Sequence, residues 1–417
     1  MDHFTYHNGV LTAESVPLTT IAEAVGTPFY CYSSATFKRH FNVFNEVLSD
    51  YDHKVHFAVK ANGNIAVLKT LAKEGCGADV VSAGEIFLAR EAGIAAENIV
   101  FSGVGKTKEE IAYALKEGIF QFNAESRAEL NALNEVAGEM STNAPIALRV
   151  NPAVDPQTHE KISTGQKESK FGIAFDEVRE AYDYAASLPH LKVQGISMHI
   201  GSQLTSLIPF RRAFRAILRM TQELRAAGHA IETLDLGGGL GVPYGDEDTI
   251  PPLPVDYARA VKEEIGAFDG TLLFEPGRMI AANSGILVSK IIYLKDRYVI
   301  VDAGMNDLMR PAIYDAYHDI IPVQQQAGEY HQAHHVVGPV CESSDIFAKA
   351  RPLSFEPKED DLIAFRSCGA YGASMSNDYN ARPLIPEVLV KGSEWAIIRK
   401  RPSYEEMVAL QAVPEWF

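Results

Sequence analysis

The stretch that decides the fold is "KVHFAVKANGNIAVLKTLAKEGCGADVVSAGEIFLAREAG", residues 54–93. Val55, Phe57 and Val59 make a short apolar run that stops at Lys60 and a turn. "NIAVLKTLAKEG" follows, with apolar residues three and four apart and a closing glycine, which is the pattern of an amphipathic helix. A second apolar run, "GADVVS" (77–82), and a second helix-like segment, "AGEIFLAREAG", repeat the unit. Lysine is rarely buried at a strand end unless it is paired or used. A side chain reaching back to water is the ordinary outcome for one lysine alone.

Working outward, the same alternation continues through "NIVFSG" (98–103), "IFQFNAE" (119–125), "PIALRVNP" (145–152), "KVQGISMHI" (192–200), "ETLDLGG" (232–238) and "TLLFEPG" (271–277). Eight apolar runs alternating with helices predict an α/β fold, a (β/α)8 TIM-like barrel. A doubly wound sheet is the competitor, and periodicity does not exclude it. The count of eight favours the barrel, as do the polar or glycine-rich positions after nearly every run: Lys60, Ser82, Ser102, Asn123, Asn151, His199, Gly237–Gly239 and Glu275. A barrel gathers its strand C-termini around one mouth, so these residues would converge there.

After about Ala281 the pattern turns β-rich, with "GILVSKIIYLKDRYVIVDAG", "HHVVGPV" and "PLIPEVLVKGSEWAIIRKR". "FTYHNGVLTAES" at the N-terminus reads as a hairpin around His7–Asn8–Gly9. The expected organisation is a barrel over 26–281 and a β-rich sandwich or barrel domain from 1–25 and 282–417. "GDEDTIPPLP" reads as an acidic barrel loop rather than a linker.

With 38 basic against 54 acidic residues, the formal charge is −16, which argues against nucleic acid or an anionic membrane as partner. Cys31, Cys76, Cys341 and Cys368 are scattered, without metal-ligand spacing, so no metal is expected and a reducing, cytoplasmic location fits. No segment has the roughly 20 apolar residues that cross a bilayer.

"LDLGGGLG" sets three glycines after the seventh run, where barrels often bind phosphate. "GVGKT" (103–107) resembles the end of a nucleotide-binding loop, but Val100 stands where that motif requires glycine. Glu275, in "FEPGR", could hold the ring nitrogen of pyridoxal phosphate protonated, and His199, in "SMHIGSQ", could stack on such a ring. A lysine amine, a phosphate cradle, a carboxylate and a flat partner around one mouth are what a Schiff-base cofactor requires. "VCESSD" (340–345) and "MNDLMRPAIYDAYH" (305–318), with Arg310 and Tyr314 four residues apart, lie outside the barrel runs. Barrel logic alone does not place them at the mouth.

On "FAVKAN", "GADVVSAGE", "RVNP", "SKFGI", "HIGSQ", "LDLGGGLG", "EPGR", "DAGMNDLMRPAIYDAYH", "GPVCESSD" and "GAYGASMSNDYN", the chain resembles the fold-type III pyridoxal-phosphate decarboxylases over essentially its whole length. The resemblance implies pyridoxal 5'-phosphate bound covalently to Lys60, His199 stacked on its ring and Glu275 on its ring nitrogen. It implies Ser202, Gly239, Gly277, Arg278 and Tyr371 around the phosphate. Arg278, Arg310, Tyr314 and Tyr371 would hold the substrate, an amino acid. Cys341 would donate a proton and Glu342 would bind the distal amine, both from the partner subunit of a homodimer with shared sites. The implied reaction converts meso-2,6-diaminopimelate to L-lysine and CO2. Relatives acting on ornithine are expected to carry aspartate after the cysteine and to lack "LMRPAIYDAYH", so Glu342 and the full segment favour diaminopimelate. The alternatives are a decarboxylase of ornithine, arginine or carboxynorspermidine, or a non-catalytic homologue.

Overall fold

The structure is a computed structural model that describes residues 2–152, 154, 170–245, 250–328 and 330–417. The chain divides into two units: Lys38–Pro243 with Asp248–Ile280, and Met1–Phe37 with Tyr244–Glu247 and Ala281–Phe417.

The first unit is a (β/α)8 barrel. Its strands are β1 (His53–Ala58), β2 (Gly77–Val80), β3 (Ile99–Phe101), β4 (Gln121–Ala124), β5 (Ala144–Asn151), β6 (Leu191–Ser197), β7 (Thr233–Asp235) and β8 (Thr271–Phe274). Each pairs in parallel with the next. β8 then returns to β1, with Leu272 opposite His53 and Phe274 opposite Val55. That closing pair decides against the open sheet. Every strand stops short of the C-terminal end of its apolar run, because the polar residues there leave the ladder for the loops. Lys60 is an instance: β1 ends at Ala58, and the lysine sits in a 3-10 turn, Val59–Ala61.

Helices Ile65–Ala72, Ala83–Glu91, Lys108–Glu117, Arg127–Glu139, Val178–Ser187, Leu207–Ala226 and Pro254–Ile265 follow the first seven strands. Asn64, Ser82, Thr107, Ser126 and Ser206 accept hydrogen bonds from first-turn amides of five of them. Ser82, counted from the sequence among the mouth residues, is therefore a helix cap. After β8 there is no long helix, but one α-helical turn, Arg278–Ala281, followed by a 3-10 turn, Ala282–Ser284. The outer face of β8 is covered instead by the helix that precedes the barrel, Ser34–Glu46, whose Phe44 stands edge-on to Phe274 at 5.9 Å.

The second unit is β-rich. Phe29–Ser33 lies inside its main sheet, antiparallel to Gly285–Lys295 and parallel to Glu387–Lys391. Residues 26–37, expected in the barrel from the sequence, accordingly belong to this unit, because the partners of that strand lie beyond residue 281. Phe4–His7 and Val10–Ala13 form the expected hairpin, with Asn8 and Gly9 at φ 50° and 79°, the left-handed pair that a two-residue type I′ turn demands. Phe4, Leu11, Leu18 and Ile21 share one core with Phe29, Ile286, Val288 and Val388. The hairpin is thus held to the C-terminal sheet by buried apolar surface. Among the described residues, no helix is long and apolar enough to cross a membrane, and no cluster of metal-binding side chains occurs. "GDEDTIPPLP" falls partly outside the described residues, as does Ser169 of "SKFGI".

Candidate active site

In the barrel, Lys60 Nζ lies 2.7 Å from Asp79 Oδ2, where Asp79 is the third residue of β2. The Asp79 side chain is fully buried, while that of Lys60 is 40% exposed. A buried carboxylate needs a partner, and this one fixes the amine beside the mouth while leaving it reachable. Asp79 is a site residue that the sequence reading missed. Its place inside "GADVV", an otherwise apolar run, was the available signal.

Strand alternation carries a column of polar side chains up the barrel interior. Gln121 donates to Asn123 Oδ1 at 2.9 Å, and Thr233 donates to Gln121 at 2.8 Å. Asn123 Nδ2 faces Asp235 Oδ2 at 3.0 Å, Ser102 Oγ at 3.2 Å and Glu275 Oε1 at 3.2 Å. Glu275 and Asp235 are both buried, with a hydrogen bond between their side chains. Burial, then the neighbouring carboxylates of Asp235 and Asp79, push the Glu275 pKa well above the ordinary range, and Lys60 only partly offsets them. Two carboxylates this close cannot both ionise cheaply, so the pair holds a proton. Asn123, expected at the mouth from the sequence but given no role there, and Asp235, not singled out at all, build that proton store.

The glycine-rich loop after β7 is packed too tightly for side chains. A Cβ on Gly237 would meet Met198 O at 2.3 Å, one on Gly238 would meet Glu275 O at 2.2 Å, and one on Gly239 would meet Gly201 O at 2.3 Å. Gly237 and Gly239 also have φ of +67° and +107°. The glycines therefore bring three loops together, those after β6, β7 and β8. Leu204 N–H donates to Gly239 O, and Gln203 clamps Val242 through both its amide atoms. His199 Nδ1 accepts the Gly238 N–H at 3.2 Å, which puts the ring proton on Nε2. Burial, with the positive charge of Arg149 and Lys60, holds the His199 pKa well down, so the ring is neutral. Arg278, the residue after Gly277, is buried and donates to Ser202 Oγ at 3.3 Å.

The lysine of "GVGKT" has a structural use. Lys106 Nζ is buried and donates to Gly103 O at 2.6 Å, to Glu129 at 2.7 Å and to Asn123 O at 2.9 Å. Its three donors are consumed in locking the loop after β3.

The β-rich unit holds the remaining sequence-derived residues. Arg310 and Tyr314 are the ends of one helix, Arg310–Tyr314, as their spacing requires. Arg310 is buried, with its guanidinium 4.5 Å from the Tyr244 ring centroid and Nη1 2.7 Å from His318 Nε2. Tyr371 has φ of +56°, a left-handed conformation that costs a non-glycine residue on the order of 1 kcal/mol or more. In "VCESSD" the buried Asp345 ties the turn by accepting from Val340 N–H at 2.7 Å and Met305 N–H at 2.6 Å. Asn380 Oδ1 accepts the Cys341 N–H at 2.8 Å. The turn leaves the side chains of Cys341 and Glu342 exposed.

A family model described as "Pyridoxal-dependent decarboxylase, pyridoxal binding domain" matches residues 34–282. The diaminopimelate decarboxylase of Zymomonas mobilis is 50% identical to the chain over 420 residues, covering 99% of each. That of Vibrio cholerae is 49% identical over 419 residues, again covering 99% of each. The crystal structure of diaminopimelate decarboxylase from M. jannaschii in co-complex with L-lysine aligns at a TM-score of 0.92 with 38% identity, covering 99% of this chain and 98% of that one.

Proposed function

The chain belongs to the pyridoxal-dependent decarboxylases and, within them, to the diaminopimelate decarboxylase family, and on that premise we propose that it removes one carboxyl group of meso-2,6-diaminopimelate as CO2 and leaves L-lysine. The observation that carries this reading is the pairing of Lys60 with Asp79 in the same barrel as the proton-holding Glu275 and the glycine loop.

The cofactor is pyridoxal 5'-phosphate, and the barrel residues fit it. Lys60 would hold it covalently through Nζ, and Asp79 Oδ2, 2.7 Å away, is placed to take the proton that Nζ must lose. The glycine amides, Ser202, Gly277, Arg278 and Tyr371 would hold its phosphate. His199 would lie on its ring as a neutral imidazole, and Glu275 would supply the proton of its ring nitrogen. When bound, the cofactor supplies an electron sink for the pair released as CO2 departs.

Choice of substrate and direction of protonation then fall to the chain's own residues. Arg310 can meet the distal carboxylate with a two-pronged, charge-assisted fork, supported by Tyr314. Arg278 and Tyr371 would orient the near end of the substrate. Glu342 would take the distal ammonium, and the Cys341 thiol would return a proton to the α-carbon. The exposure of both on their tied turn supports a homodimer with shared sites, in which each subunit lends Cys341 and Glu342 to the other. The four cysteines, none in a disulfide, support a cytoplasmic location, and the proposed reaction, which yields L-lysine, would make the enzyme the last step of lysine biosynthesis.

The test is CO2 release from meso-diaminopimelate against ornithine, arginine and carboxynorspermidine. A kcat/KM for diaminopimelate far above the other three is expected. Comparable values for diaminopimelate and ornithine would move the protein to a broader basic-amino-acid decarboxylase, and no turnover of any would make it a non-catalytic homologue.

A further inference from the structure

Within the β-rich unit, Arg310 does not stand alone on its helix. Its Nη1 donates to His318 Nε2 at 2.7 Å, so that nitrogen offers a lone pair and the ring proton sits on Nδ1. His318 Nδ1 lies 2.8 Å from Arg366 O, the acceptor that this tautomer needs, and 3.4 Å from Cys368 Sγ. Tyr244 closes the arrangement. Its ring carries the Arg310 guanidinium at 4.5 Å and meets the His318 ring edge-on at 5.4 Å and 78°. Arg310 is 6% exposed, His318 1%, Tyr244 6% and Cys368 0%, so the group is held by packing on all sides. Arg351 Nη1 donates to His318 O at 2.5 Å, which fixes the backbone that carries the ring.

A guanidinium has five donors in a planar fork, and the direction of one determines the direction of the rest. With Nη1 committed to His318 and one face laid on Tyr244, the plane of Arg310 and the edge it can offer to a carboxylate are both set before substrate arrives. From this geometry we infer that His318 is the positioning residue for Arg310, acting as a neutral Nδ1–H imidazole whose Nε2 sets the orientation in which the distal carboxylate is captured. Tyr244 is the floor of the same device. The inference rests on the reading of Arg310 as the distal-carboxylate ligand. It goes beyond that reading by assigning specificity to two residues that touch the guanidinium and not the substrate.

The chemistry of the product supplies the test. L-lysine retains the distal amino-acid end of diaminopimelate, whereas 1,5-diaminopentane has the same chain and two amines without a carboxylate. Competitive inhibition constants for both are measured on the holoenzyme and on His318→Phe, His318→Gln and Arg310→Lys, with KM, kcat and the visible absorbance of the bound cofactor. His318→Phe keeps the ring shape and removes the acceptor. It should raise KM for diaminopimelate and the inhibition constant of lysine roughly ten- to hundred-fold, leaving the diaminopentane constant and the cofactor absorbance unchanged. His318→Gln offers an amide oxygen near the Nε2 position and should recover most of the loss. A His318→Phe enzyme that discriminates lysine from diaminopentane as the wild type does, while Arg310→Lys does not, overturns the positioning role. If Arg310→Lys also discriminates like the wild type, the reading of Arg310 itself fails. Equal weakening of both inhibitors by His318→Phe, unrelieved in His318→Gln, would mark His318 as structural only and would equally overturn the inference.

Discussion

The barrel and the β-rich unit treat their functional groups in opposite ways. In the barrel, Asn123, Asp235 and Glu275 are buried and bonded to one another, and the buried Asp79 anchors Lys60 beside them. In the β-rich unit, Arg310 is buried against its own supports, but Cys341 and Glu342 stand exposed on a turn tied from behind by Asp345. Buried polar groups are costly unless satisfied, so the barrel invests in a fixed electrostatic setting that is in place before anything binds. Exposed groups on a braced turn carry no such cost and stay open to solvent. Under the proposed function, most of the cofactor chemistry would fall to one unit, while Cys341, Glu342 and Arg310 would supply the proton and the distal-end contacts from the other.

The largest effect is expected at Lys60. Lys60→Ala should abolish turnover and remove the visible absorbance of the lysine-bound cofactor, since covalent attachment needs that amine. Borohydride reduction should fix cofactor to the peptide containing Lys60, and label on another lysine would overturn the assignment. Next comes Cys341→Ala, expected to slow turnover about 10²–10⁴-fold with the cofactor absorbance intact, because in the proposed role the thiol would act as an acid after the cofactor is in place. Mixing this variant with Lys60→Ala should restore part of the activity through heterodimers holding one intact site. No recovery after verified subunit exchange would speak against shared sites.

Arg310→Lys should cost diaminopimelate turnover roughly 30- to several-thousand-fold in kcat/KM, the equivalent of about 2–5 kcal/mol for a broken desolvated pair. Its cofactor spectrum should match the wild type. A loss confined to kcat, with KM unchanged, would remove Arg310 from substrate binding.

The smallest effect concerns stability and belongs to the barrel. His56 in β1 is fully buried, neither ring nitrogen has a hydrogen-bond partner among the described residues, and burial pulls its pKa down to about 3. The unfolded chain would protonate this histidine below about 6.5, while the folded barrel resists until about 3, so stability declines as pH falls through that window. His56→Leu should retain activity and lose less in Tm between pH 7 and pH 5 than the wild type. Identical slopes in thermal unfolding would show that His56 does not contribute.

Much of this site was legible in the chain. Strand alternation and glycine placement are local, so the eight runs, the hairpin at Asn8–Gly9 and the cluster Gly237–Gly239 could be read directly. The family motifs pointed to Lys60, His199 and Glu275, which the structure sets in the barrel, and to Arg310 and Cys341, whose roles are proposed. The apolar run 54–60 overshot its strand by two residues, since turn geometry at Val59–Ala61 depends on neighbours the run does not contain. Asp79 and Asp235 passed unnoticed because an acidic residue inside an apolar strand gains its meaning only from what stands across the barrel. Val100 already removed Lys106 from any nucleotide-binding loop, but that Glu129 and two carbonyls use its donors only the structure could show.

What the sequence determined by itself is therefore the alternation of elements, the positions where side chains are forbidden, and the chemical types available at the strand ends. Each follows from backbone sterics and local periodicity, which need no distant partner. Tertiary structure alone decided that Phe29–Ser33 pairs with strands from beyond residue 281, that Phe44 covers β8, that Glu275 shares a proton with Asp235, and that His318 orients Arg310. Each of those joins residues separated along the chain, and the energies involved, burial of a charge and the direction of a hydrogen bond, exist only once the fold has brought them together.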